Sequence, residues 1–265
     1  MKLLNLGCGD RFHSDWTNLD ALPADPSIQS HDLREGIPFP DGEFDAVYHS
    51  HLLEHFPKRS AIPFLSECHR VLRPGGTIRV AVPDLERTAR TYIQALELAT
   101  DGDEAWQLNY DWVMLELYDQ TVRDRSGGEM GQHLSQDPVP NRDFIVERLG
   151  LEARRILAAA EAARESPPPQ PPEKRSLRET AIRRLLGPEY ALLQLGRFRD
   201  GGEIHQWMYD RYSLAKVLAE AGFADAQPAG ATESRIPRWA GFELDTETDG
   251  TVCKPDSLFM EAVRP

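Results

Sequence analysis

The residues best placed to do chemistry open the chain. Gly7-Cys8-Gly9 follows the apolar run Leu3-Leu4-Asn5-Leu6, and Asp20 ends a second short run, Trp16-Thr17-Asn18-Leu19. In a parallel sheet, two such runs are adjacent strands whose ends lie side by side. Gly7 and Gly9 lack Cβ atoms, so backbone there approaches a bound molecule closely. Asp20 then sits within reach of the same molecule. A carboxylate at that place accepts hydrogen bonds from both hydroxyls of a ribose, each charge-assisted bond contributing about 1.5–3 kcal/mol. Strand, glycine turn, strand and terminal acid together follow the nucleoside-binding logic of doubly wound α/β proteins.

Histidines supply the candidate proton chemistry. His49 and Ser50 end another apolar run, and His51-Leu52-Leu53-Glu54-His55 follows. That stretch fits H-x-x-E-H, in which two imidazoles four residues apart on a helix hold zinc with a further carboxylate. His205 lies in Gly201-Gly202-Glu203-Ile204-His205-Gln206-Trp207-Met208-Tyr209, just ahead of the last periodic helix. It either takes a proton there or serves as a structural loop histidine. Trp106, Tyr110, Trp112 and Tyr118 read as helix core before they read as a substrate box. Lys174-Arg175, Arg178 and Arg183-Arg184 suit a phosphate, a nucleotide-sugar or an anionic membrane surface. Interleaved Glu173 and Glu179 make a solvated face the plainer reading.

Periodicity and punctuation outline the elements that carry these residues. Strands are expected at Lys2–Leu6, up to Asp20, at Ile28–Leu33, Ala46–His49 and Thr77–Val82, the last rich in β-branched residues as a buried parallel strand requires. Gly9 and Asp20 are only eleven positions apart. A crossover helix needs more, so the first helix is truncated or replaced by a loop. Ser60 would cap a helix over Ala61–Leu72, stopped by Gly75-Gly76. Further helices are expected over Leu85–Ala99, Trp106–Val122, Phe144–Ala163 and Ser176–Leu195, with a flexible turn at Ser126–Gly131 and a Pro-rich linker at 167–172. Tyr212–Ala221, capped by Ser213 and stopped by Gly222, is the last helix. Strands at Phe223–Ala231 and Ser257–Val263 end the pattern.

Taken in order, the glycine turn, Asp20, His31-Asp32-Leu33, Phe44–His55, His69–Gly76 and Thr77–Pro83 resemble the class I S-adenosylmethionine-dependent methyltransferases, in particular the small-molecule group called type 11. The resemblance covers residues 1–84 and resumes near 205–265. It implies an α/β, Rossmann-like fold with a seven-stranded sheet of order 3-2-1-4-5-7-6, the seventh strand antiparallel between the fifth and sixth. The core is then 1–84 and 206–265. Residues 85–205 are a long helical insertion after strand 5, a lid and substrate element or the contact of a homodimer. The cofactor implied is S-adenosylmethionine. The activity implied is methyl transfer to a small-molecule or glycan acceptor, O-methylation in polysaccharide or secondary-metabolite tailoring before others.

On that resemblance Asn5, Gly7, Cys8, Gly9 and Asp20 form the cofactor cluster. Asp32 and Leu33 meet the adenine, the carboxylate facing its exocyclic amine. His49 and Ser50 lie beside the methionine portion, mainly through their backbone. His205 and His55 are the candidate catalytic residues, and His55 alternatively braces its loop. Two departures stand out: Asn5 occupies a position that is often acidic, and Asp10-Arg11 replaces the third small residue of the turn. The family also carries a Glu-His pair after its fourth strand, and a protease would need a long helix and a third ligand, so no metal site is expected. Two readings compete: a non-catalytic methyltransferase-fold scaffold, and a nucleotide or dinucleotide enzyme using the same strand-end crevice.

Composition bounds the partners. The net charge of −13 over 265 residues argues against a nucleic-acid groove binder, which needs a basic face. Cys8, Cys68 and Cys253 lack metal-ligand spacing, and an odd count fits a reducing compartment. The first strand begins too early for a targeting segment, and no apolar run approaches the 18 or so residues of a spanning helix. The expectation is a cytoplasmic protein with a small-molecule or sugar acceptor, no nucleic acid and no integral membrane contact.

Overall fold

The computed structural model describes residues 1–165 and 177–265; the proline run 167–172 and the expected helix start at Ser176 lie outside them. Strands β1 (Leu3–Leu6), β2 (Thr17–Asp20), β3 (Gln29–Ser30), β4 (Phe44–Ser50), β5 (Leu72–Pro83), β6 (Ala224–Ala229) and β7 (Ser257–Val263) form one sheet of order 3-2-1-4-5-7-6. β7 runs antiparallel to β5 and β6, and the other pairs are parallel. This is the order the resemblance implied. The described helices are α1 (Lys58–Val71), α2 (Leu85–Thr100), α3 (Glu104–Val122), α4 (Gly128–Leu134), α5 (Arg142–Leu149), α6 (Leu151–Glu165), α7 (Leu177–Leu186), α8 (Tyr190–Asp200) and α9 (Arg211–Glu220).

Strand alternation gives the sheet two different faces. Leu4, Leu6, Val47, Ile78 and Val80 pack in one core with Phe64, Leu65 and Cys68 of α1 and Leu214 and Leu218 of α9. On the other face Leu3, Ala46 and Tyr48 pack with Trp16 from the β1–β2 loop and with Ile236, Trp239 and Phe242 from the β6–β7 connection. The short β1–β2 connection has no helix, and these aromatics cover the strands instead. Trp16 meets Tyr48, Trp239 and Phe242 edge-on at ring separations of 5.4–6.1 Å. Such pairs add about 0.5–1.5 kcal/mol each beyond their buried area.

A polar row crosses the same face. Asn18, Asn5, Tyr48, Arg79 and Glu261 are successive register neighbours on β2, β1, β4, β5 and β7. Arg79 is fully buried, donates to Asp245 at 2.8 Å and Glu261 at 2.9 Å, and lies 4.4 Å from the Trp239 ring centre. Tyr48 donates to the other Asp245 oxygen at 2.6 Å. The row ties the β6–β7 connection to the sheet.

Several element boundaries differ from expectation for local reasons. The chain passes from Val71 straight into β5 at Leu72, so Gly75-Gly76 lies within a strand and does not stop a helix. α1 starts at Lys58 after Pro57, which places Ser60 inside its first turn. β3 has two residues because Asp32 caps a 3-10 turn at Leu33–Glu35. Part of the expected Ser126–Gly131 turn is helix, since the Asp119 carboxylate accepts from the Glu129 N–H at 2.7 Å and holds the start of α4. The expected Phe144–Ala163 helix breaks at Gly150, where φ is +62° and a Cβ would stand 2.7 Å from the Cys253 carbonyl. Gly187-Pro188 breaks the last insertion helix into α7 and α8. Asp210 caps α9, and Ser213 completes the capping box from the third position.

The segment between β5 and α9 begins and ends at one place. Asp84 and Tyr209 bridge in parallel, and the Leu85 N–H donates to the Tyr209 carbonyl at 2.9 Å. Between them Trp112, Met130, Leu134, Ile145, Ala153 and Leu157 form a separate apolar cluster. The buried Arg148–Glu116 ion pair joins α5 to α3, and Trp112 donates to the same carboxylate at 2.6 Å. No described helix is long and apolar enough to cross a membrane.

Candidate functional site

A cavity of about 450 Å³ opens at the carboxyl ends of β1 and β4. Gly7–Arg11, Ser50 and His51 line one side, and Leu151, Glu152, Arg155 and Ile156 of α6 with Lys254 line the other. Its size falls in the range of roughly 300–1,000 Å³ usual for small-molecule sites. The glycine turn is built for close approach. Gly7 and Gly9 have φ of +61° and +53°, and a Cβ added at Gly9 would meet nothing within 4 Å. Asp20 holds the turn from β2: its oxygens accept from the Gly9 N–H and the Leu22 N–H, each at 2.8 Å. Each carboxylate oxygen keeps further lone-pair capacity.

Asn5 works from beneath. It is 1% exposed, and its amide donates to the Arg11 carbonyl at 3.0 Å and to Asn18 at 3.1 Å. Asn18 in turn donates to the carbonyls of His13 and Trp16. This pair fastens the β1–β2 loop that stands where a crossover helix would be. Burial, with Asp20 nearby, pushes the Cys8 thiol up to about 12, so it is a neutral packing group. All three cysteines are buried and free.

Of the other expected cofactor residues, only Ser50 lines this cavity. Asp32 lies on the β3 side, ion-paired with Arg34, whose hydrogen bonds hold its carboxyl below the usual range. Leu33 belongs to the helix-side core. The His49 ring turns away from the cavity into the core, edge-on to Phe64 at 5.3 Å, and neither nitrogen has a partner among the described residues. Burial pushes it down to about 3. Ser50, one residue on, lines the cavity.

Behind His51 lies a buried polar cluster. The H-x-x-E-H stretch is not on a long helix: His51 has φ +50°, and Leu53–His55 is a single 3-10 turn. His51 Nε2 pairs with Ser257 Oγ at 2.7 Å, and its Nδ1 stands 3.4 Å from a Glu54 oxygen. Glu54 is 0% exposed, and neither carboxylate oxygen has a hydrogen-bond partner among the described residues. Burial raises it to about 8. The stretch that returns to the core is clamped here: the Gln206 and Trp207 N–H groups donate to the Glu54 carbonyl at 2.7 and 3.2 Å. His205 is thereby brought edge-on to His55, ring centres 4.8 Å apart. His55 Nδ1 meets the Ile204 carbonyl at 3.2 Å. Burial lowers His205 to about 3, which makes it a weak base for proton abstraction at neutral pH.

The structure thus gathers Gly7, Cys8, Gly9 and Ser50 around one cavity, with Asp20 bracing it. It pairs His55 with His205 in a second cluster, and it leaves Asp32, Leu33 and the His49 ring outside both. Sequence reading missed the far wall. Arg155 on α6 reaches Asp10 at 2.5 Å and Lys254 reaches Glu152 at 3.2 Å, contacts between segments too distant in the chain for local spacing to reveal. It also gave no role to Glu54, which it met only as part of H-x-x-E-H and of the family's Glu-His pair. Among the aromatics, Trp112 is core, whereas Tyr118 is 57% exposed.

Residues 13–80 match the family model described as methyltransferase domain. A Mycolicibacterium smegmatis protein described as a probable S-adenosylmethionine-dependent methyltransferase is 31% identical over 99 residues, which takes in 31% of this chain and 38% of the relative's length. Solved structures of S-adenosylmethionine-dependent methyltransferases from Archaeoglobus fulgidus and Mesorhizobium loti align with 99% of this chain and with 85% and 90% of theirs, at 11% and 14% identity and TM-scores of 0.38 and 0.37. Residues 13–80 are thus similar to a methyltransferase domain, the chain spans well under half the length of the curated relative it matches, and its sheet has the 3-2-1-4-5-7-6 order that the sequence resemblance implied.

Proposed function

We propose that the protein transfers the methyl group of S-adenosylmethionine to an oxygen of a small-molecule or glycan acceptor, as in polysaccharide or secondary-metabolite tailoring. The observation that carries this reading is the cavity bounded by the glycine turn on one side and by α6 of the insertion on the other. The residues present fit the cofactor: an open glycine turn, an acid at the neighbouring strand end, and a cavity of suitable volume. When bound, the cofactor supplies an electrophilic methyl on a sulfonium centre.

This chain's residues then bind, orient and shield. The Gly7–Gly9 backbone allows close approach, and Asp20 accepts from ribose hydroxyls. Ser50 and the β4 end flank the methionine portion. Asp32, which the resemblance sets against the adenine amine, is engaged by Arg34 through both oxygens, so it meets the adenine only by exchanging some of those bonds. The α6 wall keeps water from the reacting atoms, and the acceptor oxygen is held about 3–3.5 Å from the methyl carbon. His205 and His55 orient the acceptor from the cluster behind His51; as the O–C bond forms the S–C bond breaks, neutral S-adenosylhomocysteine is the leaving group, and the acceptor's hydroxyl proton passes to solvent on product release. The net charge of −13 favours a small acceptor over nucleic acid.

Calorimetry with S-adenosylmethionine and S-adenosylhomocysteine, followed by labelled-methyl transfer to sugars, nucleotide-sugars and small phenols, tests the proposal. Binding of both cofactor forms and methylation of one acceptor class are expected. A folded protein that binds neither refutes the reading, and binding without transfer favours a scaffold. His205→Ala is expected to lower turnover far more than cofactor affinity, read by comparing the transfer rate with the calorimetric Kd.

A further inference from the structure

Glu54, His55 and His205 each place a potential ligand atom within 4.8 Å of those of the other two. They come from stretches 150 residues apart, joined by the hydrogen bonds between the Glu54 carbonyl and the Gln206 and Trp207 N–H groups. Glu54 is fully buried and neither of its oxygens has a hydrogen-bond partner among the described residues. Buried polar groups are nearly always satisfied, and an orphaned carboxylate points to a missing ligand. One of the two imidazoles is oriented as metal-ligating histidines are. His55 Nδ1 lies against the Ile204 carbonyl at 3.2 Å; donating there leaves Nε2 with its lone pair free. The His205 backbone is fixed by its N–H on the Gln120 carbonyl at 3.0 Å, while its ring makes no hydrogen bond among the described residues. His51, bonded to Ser257, stands 3.4 Å behind the carboxylate as an outer partner.

We propose that Glu54, His55 and His205 bind a divalent first-row transition cation beside the cofactor cavity. Two imidazole nitrogens and one carboxylate suit zinc, cobalt, iron, nickel or manganese, whereas magnesium and calcium prefer all-oxygen sets. Bond lengths of about 2.0–2.2 Å bring tetrahedral ligands to about 3.4 Å apart, so the three side chains close by up to about 1.4 Å on binding. Three protein ligands leave at least one position open, for water or for an oxygen of the acceptor. The acceptor's place there rests on the methyl-transfer reading; the binding of the cation does not. The site departs from the H-x-x-E-H pattern, because His205 replaces His51 as the second imidazole.

The test is titration of chelator-treated, full-length protein with Co²⁺ and with Zn²⁺. One cation per chain and visible Co²⁺ ligand-field bands are expected. His55→Ala and His205→Ala should each abolish the bands, a larger loss than the roughly 10–100-fold that removing an outer partner costs. His133→Ala, in α4, should keep them. X-ray absorption on the wild-type cobalt protein should show two imidazoles, and this reading stands even where a variant does not fold. Absence of stoichiometric binding, bands that survive both histidine substitutions, or a shell without imidazole overturns the proposal. Calorimetry with S-adenosylhomocysteine on the metal-free protein is scored separately, so failure of the metal site and failure of the methyltransferase reading remain distinct.

Discussion

At the scale of single residues, Asp20 and Arg79 carry the heaviest demands. Asp20 closes the glycine turn by accepting from the Gly9 N–H, accepts from the Leu22 N–H after its own strand and, on the proposed function, also receives the ribose. Asp20→Ala is therefore expected to weaken S-adenosylhomocysteine binding by about 10–150-fold, the equivalent of one charge-assisted interaction of roughly 1.5–3 kcal/mol. Calorimetry reads this directly, and an unchanged Kd would remove Asp20 from the cofactor site. Arg79 is a different case, because it pairs with two buried acids. Arg79→Ala leaves Asp245 and Glu261 without their cation and should destabilise the protein by about 3–5 kcal/mol, seen as a lower denaturant midpoint with an unchanged slope. Gly7, Gly9 and Asp20 were legible in the sequence because the types and spacing that matter are local. Glu54 was not, since what marks it is burial under a segment 150 residues later. The neighbouring acid-to-Asn exchange at position 5 was visible as a departure. Its consequence, a brace to Asn18 and Arg11, required the β1–β2 register.

At the scale of elements, helix starts show what pattern reading does and does not resolve. Ser213 looked like the cap of α9, yet the cap is Asp210, with Ser213 Oγ accepting from the Asp210 N–H at 3.0 Å. Both residues suit either position, so composition alone could not separate them. Hydrogen bonds from the Ser213 and Tyr212 N–H groups hold the Asp210 carboxyl below its ordinary value of 3.8. A folded-state depression stabilises the fold above the unfolded value, and the contribution disappears as pH falls through the folded one. Asp210→Asn should therefore keep the cap but flatten this part of the acid unfolding curve below about pH 4, while Asp210→Ala should lose about 0.5–2 kcal/mol at neutral pH. Equal pH dependence in wild type and Asp210→Asn would show that other carboxylates govern acid stability. One strand was easier to place. The β7 limits coincide with the expected Ser257–Val263, because a buried strand reads as one apolar run. The breaks at Gly150 and Gly187 were obscured because glycine inside a helical pattern is ambiguous until its φ is known.

At the scale of the whole molecule, the sheet order follows from motif order, but the function of the insertion depends on what it touches. Its two ends are joined by the Asp84–Tyr209 bridge and by the Leu85–Tyr209 hydrogen bond, so a short linker can span them without moving β5 or α9. Its apolar cluster around Trp112 and Ile145 is separate from the sheet's cores, so its removal leaves those cores intact. It nevertheless supplies the α6 wall of the cavity, and α3 holds the backbone of His205 through Gln120. Replacing residues 86–204 by a short linker should therefore leave a folded core that still binds cofactor through the glycine turn and Asp20. Affinity should fall, because Leu151, Glu152, Arg155 and Ile156 no longer enclose the ligand, and methyl transfer should be lost, because water enters and His205 is released. Circular dichroism, calorimetry and labelled-methyl transfer on the one deletion variant separate these outcomes. Full transfer activity without the insertion would place the acceptor site on the sheet edge alone and make the helices an element for binding a partner or a second copy.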